Sequence, residues 1–425
     1  MQRQPITFLL TSIVTLTLTA ALQTGCGPGN TSETGGSGGT TATGGTGGTG
    51  GNGGTTQSTG GTGGTGGSGT GGATTGGGGG SGGTGGSGGT GGVTEWAAPA
   101  CAGVTGTNAV TFTLDEGANL APTQGSLSGI AYTYGLAALD TPNTLLAEHK
   151  GDLLRSEDAG CTWTKTGTLT GGLYRITAAR GGLAYAWIEN GAGFYRIEDG
   201  VPTSFATPAQ NIVGLGVDPN DGKHLRIGDA SGALHDSADG GVTWTKAGAV
   251  PAQGLFIGYR FAFDPADLDH TLFGLSTGGA WWTADGGATW KQSDGLGASA
   301  NTFSIVVSPV DGNLVWAESL EIGPDTRHIY RSTDGGATFD VVVTESAEVT
   351  LINGSLLSPH ATNPDILYFV FGTSFQNYGT DLYRYDHAAG AVTKTHNGYD
   401  EVSSMVPSPA DASILYLGLT SEDGF

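Results

Sequence analysis

Aspartates are the residues whose repetition points most directly to chemistry. Asp158, Asp239, Asp285 and Asp334 each occupy an eight-residue phrase, Ser/Thr-x-Asp-x-Gly-x-Thr-aromatic. Such a carboxylate can catalyse or bind a metal, but it can also accept backbone hydrogen bonds and close a turn in which glycine takes a positive φ. A repeated fold needs a repeated turn, whereas a catalyst is needed once. We therefore expect these aspartates to stabilise turns, and the aromatic residues that end the phrase to pack between sheets: Trp163, Trp244, Trp290 and Phe339.

Arginine is the second candidate for chemistry. The pairs Tyr174-Arg175 and Tyr259-Arg260 stand at matching places in the repeat, and a guanidinium binds a carboxylate through two parallel hydrogen bonds. Arg327 and Tyr378 belong to two longer, irregular loops. These positions predict an anion-binding rim. The alternative is that the tyrosines lie in the core and the arginines are solvated.

Established catalytic and metal motifs are missing from the sequence. It contains no His-Glu-x-x-His, no Gly-x-Ser-x-Gly, no Cys-x-x-Cys and no phosphate-binding loop of the usual form. The eight histidines are scattered, without a pair at helical ligand spacing. We therefore predict no metal and no cofactor, and the sequence assigns no catalytic residue.

The spacing of the phrase predicts the elements that position these side chains. Successive aspartates stand 81, 46 and 49 residues apart, and Asp199 falls midway in the long gap. A degenerate sixth unit ends at Asp386. Units of this length are typical of propeller blades with four antiparallel strands.

A second repeat brings the blade count to seven. Short apolar strands end in a proline turn that we assign to the junction of the first and second strands, beginning at Asp218, Asp264, Ser308, Ser358 and Ser408. Segments 130–132 and 173–176 look like first strands of two earlier blades. We predict an all-β, seven-bladed propeller, with six blades as the alternative count.

The seventh blade is incomplete at its C-terminal end. This blade has its proline turn at Ser408-Pro409 and two strands, one before and one after that turn, when the sequence stops at Phe425, and an open ring would leave unpaired sheet edges. We expect the alternating run Val110–Leu114 to add to the last blade and close the ring. The alternative is a truncated chain.

The phrase resembles the Asp box, or BNR repeat, of sialidases and other β-propellers. Tyr174-Arg175-Ile176-Thr177 resembles the Tyr/Phe-Arg-Ile-Pro of sialidases, with threonine in place of proline. Asp boxes also occur in a xyloglucan-degrading family, in photosystem II assembly factors and in sortilin-like receptors. The resemblance implies the scaffold; for function it implies either a binding propeller or a glycosidase.

The N-terminal region has a different composition. Residues 1–26 are typical of a signal peptide, and Leu22-Gln23-Thr24-Gly25-Cys26 resembles a lipobox in which Cys26 is lipidated; plain secretion is the alternative. Residues 27–93 are almost only Gly, Thr and Ser, a composition that predicts a disordered tether. The propeller is predicted over residues 94–425, in the bacterial cell envelope or secreted.

Charge and cysteine usage narrow the partners. The net charge of −22 argues against a nucleic-acid partner, because binding needs a basic face. Cys101 and Cys161 fall on neighbouring blades of a closed ring, so we expect a disulfide between them, with two free thiols as the alternative.

Together these features favour a monomeric, surface-tethered binding or scaffold module over an enzyme. The expected partner is a protein or glycan on the loop-rich face, and only the lipid anchor is expected to touch a membrane. An exo-acting glycoside hydrolase of sialidase-like or xyloglucanase-like type is the alternative.

Overall fold

The computed structural model is a closed β-propeller. It describes residues 95–101, 110–119, 121–122, 134–251, 258–297, 299–373, 379–397 and 401–420. The strands in these ranges form seven four-stranded antiparallel sheets, as the repeats predicted. The predicted signal peptide, Cys26, the tether over 27–93, the strand at 130–132 and Tyr378 lie outside the described residues.

Six blades follow one another along the chain. Blade 1 consists of β3 (Leu136–Ala138), β4 (Leu145–His149), β5 (Asp152–Ser156) and β6 (Thr164–Thr168). Blade 2 consists of β7 (Tyr174–Ala178), β8 (Leu183–Ile188), β9 (Phe194–Glu198) and β10 (Val201–Ser204). Blade 3 consists of β11 (Ile212–Val217), β12 (Leu225–Asp229), β13 (Ala233–Ser237) and β14 (Thr245–Ala249). Blade 4 consists of β15 (Gly258–Phe263), β16 (Thr271–Leu275), β17 (Ala280–Thr283) and β18 (Lys291–Gln292). Blade 5 consists of β19 (Asn301–Val307), β20 (Val315–Glu321), β21 (Thr326–Ser332) and β22 (Asp340–Thr344). Blade 6 consists of β23 (Leu357–Pro359), β24 (Ile366–Thr373), β25 (Gly379–Asp386) and β26 (Ala391–Asn397).

Blade 7 combines both ends of the propeller. Its inner strands are β27 (Glu401–Pro407) and β28 (Leu415–Thr420), and its outer strands are β1 (Val110–Thr113) and β2 (Ala121–Pro122). β1 pairs with β28 in a register that sets Phe112 opposite Tyr416. The predicted closure by the run Val110–Leu114 is therefore confirmed through β1, and β2, which follows the run, adds a further strand.

Burial follows strand position within each blade. The second strands are the most buried; all five residues of β16 and of β4 are buried. The fourth strands β6 and β14 carry exposed Thr and Lys side chains. Because side chains alternate across each sheet, apolar residues of adjoining blades meet in the seams and form the core there.

The connections divide the propeller into two faces. The turn face carries the turns between first and second strands, including all five predicted proline turns, and those between third and fourth strands. The loop face carries the remaining connections. First strands of neighbouring blades contact each other around a central channel. No helix long and apolar enough to cross a membrane occurs in the described ranges.

Candidate functional site

The four repeated aspartates share one hydrogen-bonding pattern on the turn face. In blade 1, Ser156 Oγ donates to Asp158 Oδ1 at 2.8 Å and accepts from the Gly160 N–H at 2.9 Å. Thr162 donates its N–H to Asp158 Oδ1 at 2.8 Å and its hydroxyl to Oδ2 at 2.7 Å. The same four contacts recur around Asp239, Asp285 and Asp334.

These hydrogen bonds hold the carboxylates in their ionised form. The Thr243 and Thr289 hydroxyl and N–H groups lower the pKa of Asp239 and of Asp285 to about 2. A carboxylate whose oxygens already accept bonds from its own turn is poorly suited to exchange protons. The geometry favours the structural role expected from the sequence.

The aromatic residues of the phrase fasten each turn to the core. The indole N–H of Trp163, Trp244 and Trp290 donates to the carbonyl of the glycine three residues earlier, at 3.1 Å in each case. Trp244 meets Phe194 of the preceding blade edge to face, with ring centroids 5.6 Å apart. Phe339 is buried between blades 4 and 5.

A fifth copy of the turn closes blade 7. Asp115 accepts from the Thr113 hydroxyl at 2.8 Å and from the Asn119 N–H and side chain at 2.8 and 2.6 Å. Gly117 donates to Thr113 Oγ at 3.0 Å. This copy does not match the phrase in the sequence, because Asn119 stands where the phrase has threonine and Leu120 where it has an aromatic residue. A pattern that allowed both substitutions would have revealed it.

On the loop face, the predicted arginines Arg175 and Arg260 meet over one carboxylate. Glu189, directly after β8, accepts from Arg175 Nε at 2.6 Å and from its terminal nitrogen at 2.5 Å. Arg260 reaches the other Glu189 oxygen at 2.7 Å. All three side chains are 20–28% exposed and line a 420 Å³ cavity at the loop-face mouth of the channel. Sequence reasoning missed Glu189, because a single polar residue after a strand is not a specific signal.

Electrostatics in this cluster favour the charged state of Glu189. Burial alone would raise the Glu189 pKa, but the charges of Arg260 and Arg175 outweigh burial and lower it. Burial lowers the pKa of Arg260, yet arginine stays protonated in proteins. The cluster therefore holds two positive charges and one negative charge.

Aromatic rings support the two arginines in different ways. The Arg175 guanidinium lies over the Tyr134 ring, 5.5 Å from its centroid. Tyr259, beside Arg260, is partly exposed and stacks on Phe303 at 4.6 Å between centroids. Tyr174 is buried and donates its hydroxyl proton to the Thr170 carbonyl at 2.7 Å. Tyr174 is therefore a core residue, as the alternative interpretation of the Tyr-Arg pairs expected, whereas Tyr259 is not.

Arg327 also belongs to the loop face but is engaged with its own neighbours. It donates to Asn353 Oδ1 at 2.9 Å and to Glu345 at 3.2 Å. Asn353 lines the 420 Å³ cavity, so Arg327 supports the cavity wall through it. Arg327 is not among the residues that line the cavity.

Two buried glutamates hold segments next to the cavity. Glu148 and Glu318 are fully buried, and each has one oxygen without a hydrogen-bond partner. The other oxygen accepts from the Gly151 N–H at 2.8 Å or from the Gly354 N–H at 3.0 Å. Burial raises the pKa of Glu148 to about 7 and that of Glu318 to about 8.

Among the described residues, the carboxylates that line the two mouths of the channel are not arranged as a glycosidase pair. Such enzymes need two carboxyl groups facing the substrate, one of them a free acid. Among the residues lining the loop-face cavity, Glu189 is the one carboxylate. At the turn-face mouth, Asp140, Asp218 and Asp264 line a 650 Å³ cavity, but each accepts backbone hydrogen bonds from a turn.

The segment before the propeller is fastened to the turn face of blade 1. Trp96 donates its indole N–H to the Leu139 carbonyl at 3.0 Å. Ala97 donates to the Asn143 side chain at 2.7 Å. Cys101 is joined to Cys161, within the blade 1 turn, by a disulfide bond. No group of three or more His, Cys, Asp or Glu in the described ranges is placed to hold a metal ion.

Comparisons with known proteins agree with the fold and show the family. No protein-family model matches the chain. The xyloglucanase of a Paenibacillus species is 26% identical over 57% of this chain, which spans only 21% of that enzyme. The crystal structure of an ancestral GH74 enzyme superposes with a TM-score of 0.51 at 15% identity, covering 73% of this chain and 45% of the other.

A curated relative matches over far more of its length. The dispase autolysis-inducing protein of Streptomyces mobaraensis is 50% identical over 335 residues, which cover 76% of this chain and 90% of that protein. Identity of this extent over nearly the whole relative exceeds what a shared scaffold requires. The chain belongs to the family of the dispase autolysis-inducing protein.

Proposed function

We propose that this chain is a non-catalytic binding propeller that engages an exported protease through its loop face and induces that protease to digest itself. The observation that carries the proposal is the Arg175–Glu189–Arg260 cluster. It offers oriented donors for recognition, and Glu189 is neutralised between two guanidiniums. The relative's name states that it induces autolysis of dispase, and autolysis is self-proteolysis.

The loop face is the better candidate for the contact. Residues 95–101 lie against blade 1 on the turn face, where Trp96, Ala97 and Cys101 are each bound. This segment therefore occupies part of the turn face, whereas the Arg175–Glu189–Arg260 cluster lies on the opposite face. The expected lipidation of Cys26 and the 27–93 tether belong to this proposal, which places the protein in the cell envelope or outside the cell.

Contacts on this face would come from Arg175 and Arg260 at the channel mouth and from Arg327 at the cavity wall. Ile322, in the loop that precedes Arg327, is 43% exposed, and Leu173, just before Tyr174, is 41% exposed. Exposed apolar side chains beside oriented arginines are the composition of protein-binding surfaces. Tyr378 is proposed for the same surface from its sequence position alone.

A glycosidase remains the rival function, and the channel argues against it. The similarity to a xyloglucanase covers about a fifth of that enzyme, and the structural likeness to a GH74 enzyme shows the fold alone. Neither channel mouth presents a pair of carboxylates free of turn or arginine contacts among its lining residues.

Co-incubation with dispase tests the proposal. The purified full-length chain, added to active dispase, is expected to accelerate the appearance of dispase fragments on gels and the loss of its activity. Calorimetry with active-site-inhibited dispase should show binding without fragmentation. Two matched variants serve as the comparison. Arg260→Gln, on the loop face, should weaken the acceleration of dispase autolysis, and Arg180→Gln, on the turn face, should leave it unchanged.

Two results would contradict the proposal. If dispase remained intact and active in the presence of the folded, full-length chain, the proposal of a protease partner would be wrong. Release of reducing sugar from a panel of sialosides and β-glucans, lost in a variant of a channel carboxylate, would establish the rival function.

A further inference from the structure

The loop-face cavity carries a local positive charge in an acidic protein. The whole chain has a net charge of −22. Among the described residues that line this cavity, Arg175 and Arg260 are the cations and Glu189 is the anion, so this described lining has a formal charge of +1. The other polar lining groups are neutral, for example Asn190, Ser355 and the Tyr134 hydroxyl. The excess charge favours an anionic ligand over a cation or a neutral sugar.

Donor capacity also exceeds what Glu189 uses. Two guanidiniums present ten N–H donors, by the usual five for each arginine. Glu189 receives contacts from Arg175 Nε and from one terminal nitrogen of each arginine. Within the part of the chain that the structure describes, the buried Arg260 Nε has no hydrogen-bond partner. A buried donor without a partner is costly, and a ligand oxygen would satisfy it.

The neighbouring blade leaves room for this arrangement. Arg260 follows a bulge in β15, and Gly214 follows the corresponding bulge in β11 of blade 3. A Cβ on Gly214 would lie 2.4 Å from the Phe261 carbonyl oxygen, so this position accepts only glycine. With no side chain from blade 3, Glu189 of blade 2 reaches across to Arg260 of blade 4.

The geometry favours a carboxylate among anions. The two guanidiniums already hold one carboxylate between them, Arg175 through one oxygen of Glu189 and Arg260 through the other, and a guanidinium can also bind both oxygens of a carboxylate through two parallel hydrogen bonds. A single excess charge suits a monoanion better than a phosphate. The 420 Å³ cavity also has apolar walls at Ile305, Leu356 and Val370, which suit the carbon skeleton of a peptide end.

We propose that the loop-face cavity binds the carboxylate of a peptide, with Arg260 as the principal ligand-binding residue and Arg175 as its partner. The ligand takes the unused donors of Arg260 and competes with Glu189 for the rest. This inference rests on the proposed function for its source of ligand, because each cut that an autolysing protease makes exposes a new C-terminal carboxylate. An acidic side chain carries the same group and is the second source.

Fluorescence polarisation with labelled peptides tests the site on the full-length chain. The probes are one hexapeptide of Gly, Ala and Leu with a free C-terminus, the same peptide amidated, and an amidated form with an internal aspartate. We expect the free acid to bind at least about tenfold more tightly than the neutral amide, the usual effect of losing a charged hydrogen-bond partner. The aspartate peptide shows whether a side chain serves as well.

Three variants define the contribution of each residue. Arg260→Gln should weaken binding of the acid about tenfold or more, and Arg180→Gln on the turn face should leave it unchanged. Glu189→Gln removes the competing anion, so this variant should bind the free-acid peptide more tightly than the parent chain does. Acetate should also raise the melting temperature of this variant more than a neutral osmolyte does. Circular dichroism establishes that each variant is folded.

Equal affinity for acid and amide, or weaker binding in folded Glu189→Gln, would overturn the carboxylate site. The dispase assay distinguishes the two proposals. Autolysis without carboxylate-dependent peptide binding refutes this inference and leaves the proposed function standing. Carboxylate-dependent binding that needs Arg260, without autolysis, supports the site and refutes the protease partner.

Discussion

Glu148 and Glu318 occupy the same position on the second strands of blades 1 and 5. In blade 1, Leu145 pairs with Ser156, the serine that opens the turn phrase, and Glu148 follows Leu145 by three residues. In blade 5, Val315 pairs with the corresponding Ser332, and Glu318 follows Val315 by three residues. Both are fully buried and both hold a backbone N–H near the loop face. Two blades thus carry a buried carboxyl group where the others use apolar residues or glycine, such as Gly228 and Gly274.

The two carboxyl groups should make the propeller less stable as pH rises. Burial raises their pKa values to about 7 and about 8 from the ordinary 4.5, so the folded protein retains protons that the unfolded chain releases. Their stabilising contribution is complete below about pH 4.5 and is lost as pH rises through about 7–8. The slope is at most about 1.4 kcal/mol per pH unit for each group.

Urea unfolding at pH 5 and pH 8 measures this effect. The Glu148→Gln/Glu318→Gln double variant cannot ionise there, and its free energy of unfolding should change less between the two pH values than that of the parent chain. Glu348→Gln, at an exposed glutamate, is the control and should follow the parent. A double variant with the parent's pH dependence would contradict the assignment.

The repeated turns should be stabilising and dispensable for ligand contact. Asp158→Ala removes the acceptor for the Ser156 and Thr162 groups, and we expect it to lower the free energy of unfolding by about 1–3 kcal/mol. Asp340→Ala, at an exposed aspartate on β22, should change it by less than about 0.5 kcal/mol. A folded Asp158→Ala variant with parental stability but without dispase activity would show that Asp158 acts in function.

The repeats made the fold predictable, because blade architecture depends on local turn chemistry and alternation that one chain states several times. The phrase around Asp158 and the proline turn at Asp264 each predicted a strand junction that the structure contains. The Asp115 turn was missed because asparagine and leucine replace the threonine and the aromatic residue of the phrase, although Asn119 donates to Asp115 as the threonine does in the other copies. The same turn therefore forms even where two residues of the phrase differ.

The candidate site was predictable only in part. Repeat register placed Arg175 and Arg260 at matching positions, and the structure brings both to one cavity. Their shared contact with Glu189 depends on a side chain crossing from blade 2 to blade 4, a distance relationship that no local pattern encodes. Arg327 shares the face but not the cavity lining, because its donors are taken by Glu345 and Asn353.

The disulfide should stabilise the ring at its closing seam. Cys101 and Cys161 lie 60 residues apart in sequence, and Cys101 packs against the cluster that joins blade 7 to blade 1. Loop-closure entropy for this separation is worth about 4 kcal/mol, so the Cys101→Ser/Cys161→Ser variant should unfold at lower urea concentration by a corresponding amount. Reductant should shift the parent chain to the same midpoint. If reductant did not change the unfolding midpoint of the parent chain, and the variant unfolded at the same midpoint, the disulfide would not make this contribution.

The ring is further held by one side-chain contact across each seam. In every case a side chain on or beside the second or third strand of one blade reaches a turn of the next, and the seventh contact returns to blade 1. The pairs are Arg155 with Asp199, Arg196 with Asp239, Arg226 with Leu268, His270 with Gly335, Arg331 with Asp365, Arg384 with Glu116, and Tyr416 with Ala159. These contacts couple each blade to its neighbour and make cooperative unfolding the expectation.

Arg226 is the most buried charged member of this series and gives the sharpest test of it. Its side chain is 5% exposed, donates to both oxygens of Asp236 at 2.6 and 3.0 Å, and reaches the Leu268 carbonyl at 2.7 Å. Arg226→Met leaves Asp236 without its guanidinium partner and removes one of two donors to that carbonyl, which keeps the Thr271 hydroxyl, so we expect a loss of about 3 kcal/mol in urea unfolding. Arg155→Met, at a more exposed seam, should cost less than about 1 kcal/mol. Equal losses in the two variants would show that burial does not set the strength of the seam contacts.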